Sequence, residues 1–422
     1  MNYEEAVAYI HSIYWRGSKL GLVRVTELLE LMGNPQDSLK FVHVAGTNGK
    51  GSTTTMISNI LRASGYTVGS FISPYVTRFN ERIQLNNREI EDEELAELTD
   101  YVRTFADAMP NSPTEFEVIT AIAFEYYKRK NCDIVVVEVG LGGKLDSTNV
   151  IKTPEVAVIT PIDFDHTHVL GNTLAEIASA KAGIIKKNGI VVTHPQHKEA
   201  LDVLAEACSE QNAKLIIADT SPIKLNERSI DGQCFDYGDY KNLKIRLAGS
   251  YQLNNSAVAL NAIFALRSRG WNIPDDAVYN GLANAKWPAR FEVLSKDPIF
   301  IVDGGHNPHG VRGTLSSLMN YFPNEKITFI LGVMADKDVS EIVSLLAPVA
   351  ESFYTAAPNN DRAMPAEQLA ELIKKFGVPA TPCASVSDAV HAAISHVEKG
   401  GKICAVGSLY MAGEVRKCFD LE

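Results

Sequence analysis

The chain has little of what would make it a secreted, membrane or nucleic-acid-binding protein. Its six cysteines (Cys132, Cys208, Cys234, Cys383, Cys404, Cys418) are scattered over 422 residues without a CxxC pair. That excludes a dense disulfide framework and points to reduced thiols in a cytoplasm. No apolar stretch is long enough to span a bilayer. The opening Met1-Asn2-Tyr3-Glu4-Glu5 lacks the basic-then-apolar pattern of a signal peptide. Positive charge is also short: Lys+Arg 40 against Asp+Glu 51 gives a net charge of -11. Nonspecific nucleic-acid binding feeds on counterion release by basic surfaces, so this balance argues against it. It leaves room for small anionic substrates, because a local pocket can be positive on an acidic protein. Internal repeats and low-complexity segments are absent.

What remains is an ordinary globular composition, 45% hydrophobic and 22% charged, in a chain long enough for two domains. Strands are predicted at 41–45, 67–72, 133–139, 155–160, 189–193 and 214–218, then at 299–303, 326–332, 352–356 and 402–406. Runs such as Ile134-Val135-Val136-Val137 are apolar throughout, as parallel strands buried on both faces are. Helices are predicted over 91–108, 117–130, 174–185, 196–211 and 254–269. This alternation predicts an α/β protein with a mostly parallel sheet. Lys224–Leu247 breaks the pattern and reads as a small antiparallel insertion. A fresh βαβ series begins at Ile299, which places the domain division near Leu294: residues 1–294, then a smaller domain 295–422.

The richest segment is Ala45-Gly46-Thr47-Asn48-Gly49-Lys50-Gly51-Ser52, between an apolar run and a helix-like run. Strand, tight turn and helix aim backbone N–H groups and a helix N-terminus at a polyphosphate. Lys50 would reach the terminal phosphates and the Ser52 hydroxyl would sit beside a magnesium ion. The strict P-loop pattern fails, because Val44 stands where its first glycine belongs, so the loop is shorter. A plain strand–helix connector explains Lys50 poorly, since a cation at a helix start opposes the dipole unless an anion is near. A second cluster, Gly140-Leu141-Gly142-Gly143, lacks the third glycine of a dinucleotide turn (Leu145 stands there) and reads as a tight substrate-lining loop.

Glu138 ends an apolar strand, where a carboxylate is costly to bury unless paired or bound to a cation; the bland alternative is a solvated strand-end Glu. Asp165-His166-Thr167-His168 follows the strand at 155–160, at the edge where open α/β sheets bind ligands. Zinc competes with magnesium for these histidines, but no further His/Cys cluster lies at zinc spacing. Lys181, in a small apolar stretch, reads either as a snorkelling helix lysine or as one whose burial frees a neutral amine able to take up carbon dioxide.

In this order, the segments resemble the folylpolyglutamate synthase/dihydrofolate synthase family, a branch of the Mur-ligase-like ATP-dependent amide ligases. The likeness runs from His43–Ser52 through Ser73-Pro74-Tyr75 and Glu81-Arg82-Ile83 to Glu138–Asn149. It continues through Asp165-His166, Lys181–Lys186, Pro288–Glu292 and Asp303–Pro308. The resemblance implies an N-terminal P-loop ATPase domain and a smaller C-terminal Rossmann-like domain, with the active site in the cleft between them and Arg290 near the hinge. It implies that Thr47, Asn48 and Gly49 to Ser52 hold the triphosphate of ATP, and that Asn255, Arg290 and Asp303 contact the nucleotide. Ser73, Glu138 and His166 match magnesium ligands, and Lys181 matches a carbamylated lysine. Lys50, Lys181 and His306 match catalytic positions. Arg82, Phe116 and Glu117 fall in segments resembling the wall around the pterin substrate. Lys144 stands where many members have arginine, and Ala289 where glycine is common.

The implied reaction joins L-glutamate to a folate or dihydropteroate carboxylate through an acyl phosphate, in a monomeric cytoplasmic enzyme. Two readings compete with it: a Mur-type peptidoglycan ligase, and a nucleotide-dependent switch, which the lack of an NKxD motif counts against.

Overall fold

Strands form where the apolar runs lie. The computed structural model describes residues 1–13 and 21–421. The first sheet contains β1 (Phe41–Ala45), β2 (Val68–Phe71), β3 (Ile83–Leu85) and β4 (Arg88–Glu89), with β5 (Ile134–Glu138), β6 (Val156–Ile159), β7 (Ile190–Thr193) and β8 (Lys214–Ile217). Its order is β4-β3-β2-β5-β1-β6-β7-β8. From β2 to β8 neighbouring strands run parallel, and β3 and β4 add an antiparallel edge. Every residue of β1 and β5 is buried, the signature of a strand covered on both faces.

Helices α1 (Tyr3–Ser12), α2 (Val23–Leu31), α3 (Lys50–Ala63), α4 (Asp92–Ala106) and α5 (Glu115–Arg129) are joined by α6 (Thr167–Leu170), α7 (Leu174–Ala182) and α8 (Lys198–Glu210). Then come α9 (Gln252–Ser268) and α10 (Asp275–Asn284). One apolar core gathers Phe41, Phe71, Phe124, Val135 and Val137, and another gathers Ala45, Ile159, Ile177, Val191 and Leu204.

The expected insertion is a three-stranded antiparallel sheet of β9 (Lys224–Ser229), β10 (Gly232–Tyr237) and β11 (Tyr240–Ile245). The last sheet holds β12 (Glu292–Lys296), β13 (Ile299–Val302), β14 (Ile327–Leu331), β15 (Ala350–Thr355), β16 (Ala380–Pro382) and β17 (Lys402–Val406), ordered β12-β13-β17-β14-β15-β16. All its pairings are parallel except β12 with β13. Helix α11 (Pro308–Tyr321) follows β13.

The chain divides into two compact units, and not by one break near Leu294. The first comprises Met1–Tyr75, Phe79–Ile223 and Asn254–Ala285; the second comprises Val76–Arg78, Lys224–Leu253 and Lys286–Glu422. A cut at Leu294 would split β12, whose Glu292 and Val293 pair with Val302 and Ile301. The three-stranded sheet belongs with the second unit, where Ile230 packs on the core of Phe291, Phe329 and Phe353. Among the described residues no helix is long and apolar enough to cross a membrane.

Candidate active site

Four neighbouring parallel strands, β2-β5-β1-β6, bring the first set of candidates to one sheet edge. Ser73 follows β2, Glu138 is the last residue of β5, the glycine-rich turn follows β1, and Asp165-His166 follows β6. Register puts Glu138 beside Val44, directly ahead of the turn. These are C-terminal ends of parallel strands, the edge where open α/β sheets bind ligands.

The turn itself is held from below. Thr47 N–H donates to the Pro161 carbonyl (2.8 Å), Asn48 N–H donates to the same oxygen (3.4 Å), and the Thr47 hydroxyl donates to Asp163 O (2.9 Å). Thr47 and Asn48 therefore anchor the loop with these groups, and the backbone donors entering α3 are those of Gly49, Lys50, Gly51 and Ser52. Gly49 caps α3 at φ 83, and a Cβ there would come 2.6 Å from Asn255 Oδ1. The Asn255 amide thus lies against the glycine-rich turn. Lys50, half-buried at the first position of α3, folds back to donate to Gly46 O (3.2 Å) and Thr47 O (3.1 Å). No carboxylate engages its amine in these bonds, so its charge is available to an anion.

Lys181 is 3% exposed, and its Nζ donates to Gly46 O at 2.8 Å. Snorkelling is therefore the wrong reading of this lysine. Burial pulls its pKa down to about 7, and the nearby Lys50 cation pushes the same way. The two lysines meet at one carbonyl, so a carbamate on Lys181 would exchange a repulsive neighbour of Lys50 for an attractive one. The α7 helix end is tied to the second glycine loop: Lys144 N–H donates to Ala180 O (2.7 Å), and Asn149 Nδ2 donates to Lys144 O and Gly183 O.

Sequence reasoning missed a buried relay behind this loop. His43, 0% exposed on β1, holds Thr148 Oγ1 through Nε2 at 2.8 Å. The Thr148 hydroxyl donates to Asp146 Oδ1 (2.5 Å), and Asp146 Oδ2 accepts the Leu141 N–H (2.8 Å). A threonine donating onward must accept from histidine, so His43 is the neutral Nε2–H form. Burial lowers its pKa to about 3, helped by Lys186, and burial raises that of Asp146. The signal was legible: a histidine inside an all-apolar strand needs a partner.

Glu138 is 4% exposed, Ser73 half-buried, and His166 stands at φ 49 with Asp165 Oδ1 3.8 Å from its Nε2. Among the described residues no group of three or more His, Cys, Asp or Glu side chains could hold a metal ion. A site from this set therefore rests on one carboxylate, one imidazole and one hydroxyl.

Of the residues expected on the pterin wall, Arg82 lies over the rings of Tyr75 (5.1 Å) and Phe79 (5.7 Å). Phe116 sits tilted 5.8 Å from Phe71 and so close to Gly140 that a Cβ there would come 2.6 Å from the ring. Glu117 behaves differently. It is 1% exposed, accepts the Thr114 N–H at 2.6 Å in a capping box, and pairs with Arg24 at 3.0 Å. These contacts tie its carboxylate to Arg24 and to the start of α5, the turn that also carries Phe116.

In the second unit, Asp303 follows β13 and is 3% exposed, and His306 Nδ1 donates to Gly304 O (3.1 Å). Arg290 is flanked by two left-handed non-glycine residues, Ala289 (φ 54) and Phe291 (φ 53). Such backbone costs about 1–3 kcal/mol each and persists where the surroundings impose it.

Residues 44–263 match the Mur ligase middle domain, and residues 289–409 match the Mur ligase glutamate ligase domain. With the phosphate turn at the sheet edge, these define an ATP-dependent ligase of the Mur class. The chain belongs to the folylpolyglutamate synthase/dihydrofolate synthase family. It is 37% identical to folylpolyglutamate synthase of Lacticaseibacillus casei, over 99% of this chain and 98% of that one. It is 35% identical to dihydrofolate synthase/folylpolyglutamate synthase of Bacillus subtilis, over 98% of each. The solved Mycobacterium tuberculosis folylpolyglutamate synthase, complexed with ADP and AMPPCP, superposes with a TM-score of 0.91 at 29% identity, covering 100% of both chains. Full-length likeness to folate ligases sets the peptidoglycan and switch readings aside.

Proposed function

We propose that this enzyme uses ATP to join L-glutamate to the carboxylate of dihydropteroate and of reduced folates, both activities residing in one phosphate site. The observation that carries the reading is the convergence of the phosphate turn, Lys50, buried Lys181 and Glu138 at the ends of adjacent strands. The substrate carboxylate attacks the γ-phosphate, giving an acyl phosphate and ADP; the glutamate amine then displaces phosphate to form the amide. Two anions must approach in the first step. The Lys50 charge and the α3 N-terminus lower that cost, already oriented before substrate arrives. Arg82, stacked on Tyr75, and Phe116 are assigned to the substrate. Arg290 and Asp303 are assigned to the nucleotide, and His306 to orienting the amine through its fixed ring.

The donor set fits magnesium, which prefers hard oxygens, keeps several waters and needs few protein groups. Ser73, Glu138 and His166 would hold it, and when bound it would neutralise phosphate charge. A carbamate on Lys181 would add oxygen donors beside Lys50. The enzyme is read as a monomer and as cytoplasmic, its six free cysteines suiting a reducing compartment.

Mass spectra of products from dihydropteroate and from tetrahydrofolate, each with ATP and L-glutamate, test the reading. One added glutamate on each supports both activities. Product from only one removes the other, and ADP release without any amide removes the ligase assignment for these substrates.

A further inference from the structure

Asp303 is unusually well held for a residue assigned to a ligand. Its Oδ1 accepts the Thr314 hydroxyl (2.9 Å) and the Gly305 N–H (2.8 Å), while its Oδ2 accepts the Tyr251 hydroxyl (2.7 Å). An ionised carboxylate offers about four acceptor positions. Three are filled by the fold, and the fourth lies on Oδ2, the oxygen that Tyr251 alone grips. The phenol is a dependable donor: loss of water around it and the neighbouring Asp303 charge push its pKa well above the ordinary tyrosine value.

Tyr251 is itself held in place residue by residue. Gln233 on β10, 2% exposed, donates its amide to Leu247 O and Gly249 O, both at 3.0 Å. Tyr321 donates its hydroxyl to Ala248 O (2.6 Å), and Ser250 N–H donates to Ser317 Oγ (2.9 Å). The ring lies in a slot: a Cβ on Gly249 would come 2.8 Å from it, and one on Gly313 would come 3.2 Å from it. Helix α11 supplies Ser317 and Tyr321 to this anchoring and Thr314 to the carboxylate. A tyrosine kept only for packing would not need its four preceding residues pinned from two elements.

We propose that Tyr251 is a positioning residue for nucleotide binding, fixing the one Asp303 oxygen that retains an open acceptor position so that it meets a hydrogen-bond donor of ATP. The proposal rests on the assignment of Asp303 to the nucleotide made above. It gives the three-stranded sheet a task, since Gln233 of that sheet holds the segment leading to Tyr251.

The test is a double-mutant cycle with Tyr251→Phe and Asp303→Asn in the full-length enzyme. Tyr251→Phe should raise KM for ATP about five- to tenfold, the order of one ordinary net hydrogen bond, because its loss reaches ATP only through the Asp303 carboxylate. It should leave kcat and the KM values for glutamate and dihydropteroate within about twofold, because the reacting atoms are untouched. The double variant should bind ATP no more weakly than Asp303→Asn alone, since both changes remove one interaction. If Asp303→Asn weakens ATP binding and Tyr251→Phe does not, or if the two effects add, Tyr251 has no positioning role. If Asp303→Asn itself leaves KM for ATP unchanged, the nucleotide assignment of Asp303 falls first and the proposal with it. Should Tyr251→Phe be too unstable to turn over, calorimetric ATP binding in the cold, with near-ultraviolet dichroism to verify the fold, reads the same difference.

Discussion

The two large sheets both present functional groups at the C-terminal ends of parallel strands, yet the two edges are built differently. The first offers cations and N–H donors: Lys50, Lys181 and the start of α3, with Glu138 beside them. At the second, Asp303 is an acceptor surrounded by hydroxyl donors, with Arg290 and His306 on nearby loops. The contrast shows how one layer order serves two purposes. A short glycine-rich turn exposes amides, whereas a side chain at a strand end needs a scaffold of partners to face one way.

The largest effect separating the two edges is expected from Lys50→Ala. Ligation should fall by about 10³-fold, comparable to deleting a donor aimed at developing charge. Its melting temperature should move little, because the side chain bonds only to loop carbonyls. Turnover at the parent rate would remove the phosphate-turn assignment.

Lys181→Met comes next, and it should cripple turnover while stabilising the fold near neutral pH. An unmodified Lys181 titrates at about 7 in the folded chain against 10.5 when unfolded. Between those values the unfolded chain keeps a proton that the folded chain has lost, so stability rises with pH across that window. Below it the penalty is complete. Urea midpoints across the window should show this slope in the parent enzyme and lose it in Lys181→Met. Labelled bicarbonate would report a carbamate directly by NMR, and its uptake by the Met variant to the same extent would place the modification elsewhere.

Arg24→Ala should cost about 2–4 kcal/mol of stability, by leaving the buried Glu117 carboxylate without its cation. It should also raise KM for the pteroate substrate through Phe116. A change in KM for ATP instead would mean that Glu117 does not support the substrate wall. The smallest effect belongs to the second unit: Ala289→Gly should shift stability by no more than about 1 kcal/mol, relief of left-handed strain opposing added chain entropy. A larger loss in a thermal melt would show that the Ala289 methyl packs more tightly than its backbone suggests.

Much of this was legible in the sequence because period and punctuation agree there. The runs at 41–45 and 134–138 are apolar without interruption, and both are fully buried parallel strands. The turn from Gly46 to Ser52 lies at a strand–helix junction, as its glycines require. What escaped notice depended on tertiary contact. Strand β12 reads Glu-Val-Leu-Ser-Lys, a poor apolar signal, and exists because β13 pairs with it; hence the misplaced division at Leu294. Glu117 looked like a ligand-facing acid, but only the fold reveals Arg24 beside it. Tyr251 carries no motif of its own, since its partner lies 52 residues away.

The second unit is not a contiguous stretch of chain: residues 224–253 enter it from the middle of the sequence. A clone truncated to residues 286–422 would lack Gln233 and Tyr251 and could not reproduce the acceptor edge. Exchanging this lobe between ligases therefore takes two internal segments, 76–78 and 224–253, as well as the C-terminal swap. During synthesis the three short strands leave the ribosome first, and Ala248 and Ser250 wait for Ser317 and Tyr321 before the Tyr251 slot can close.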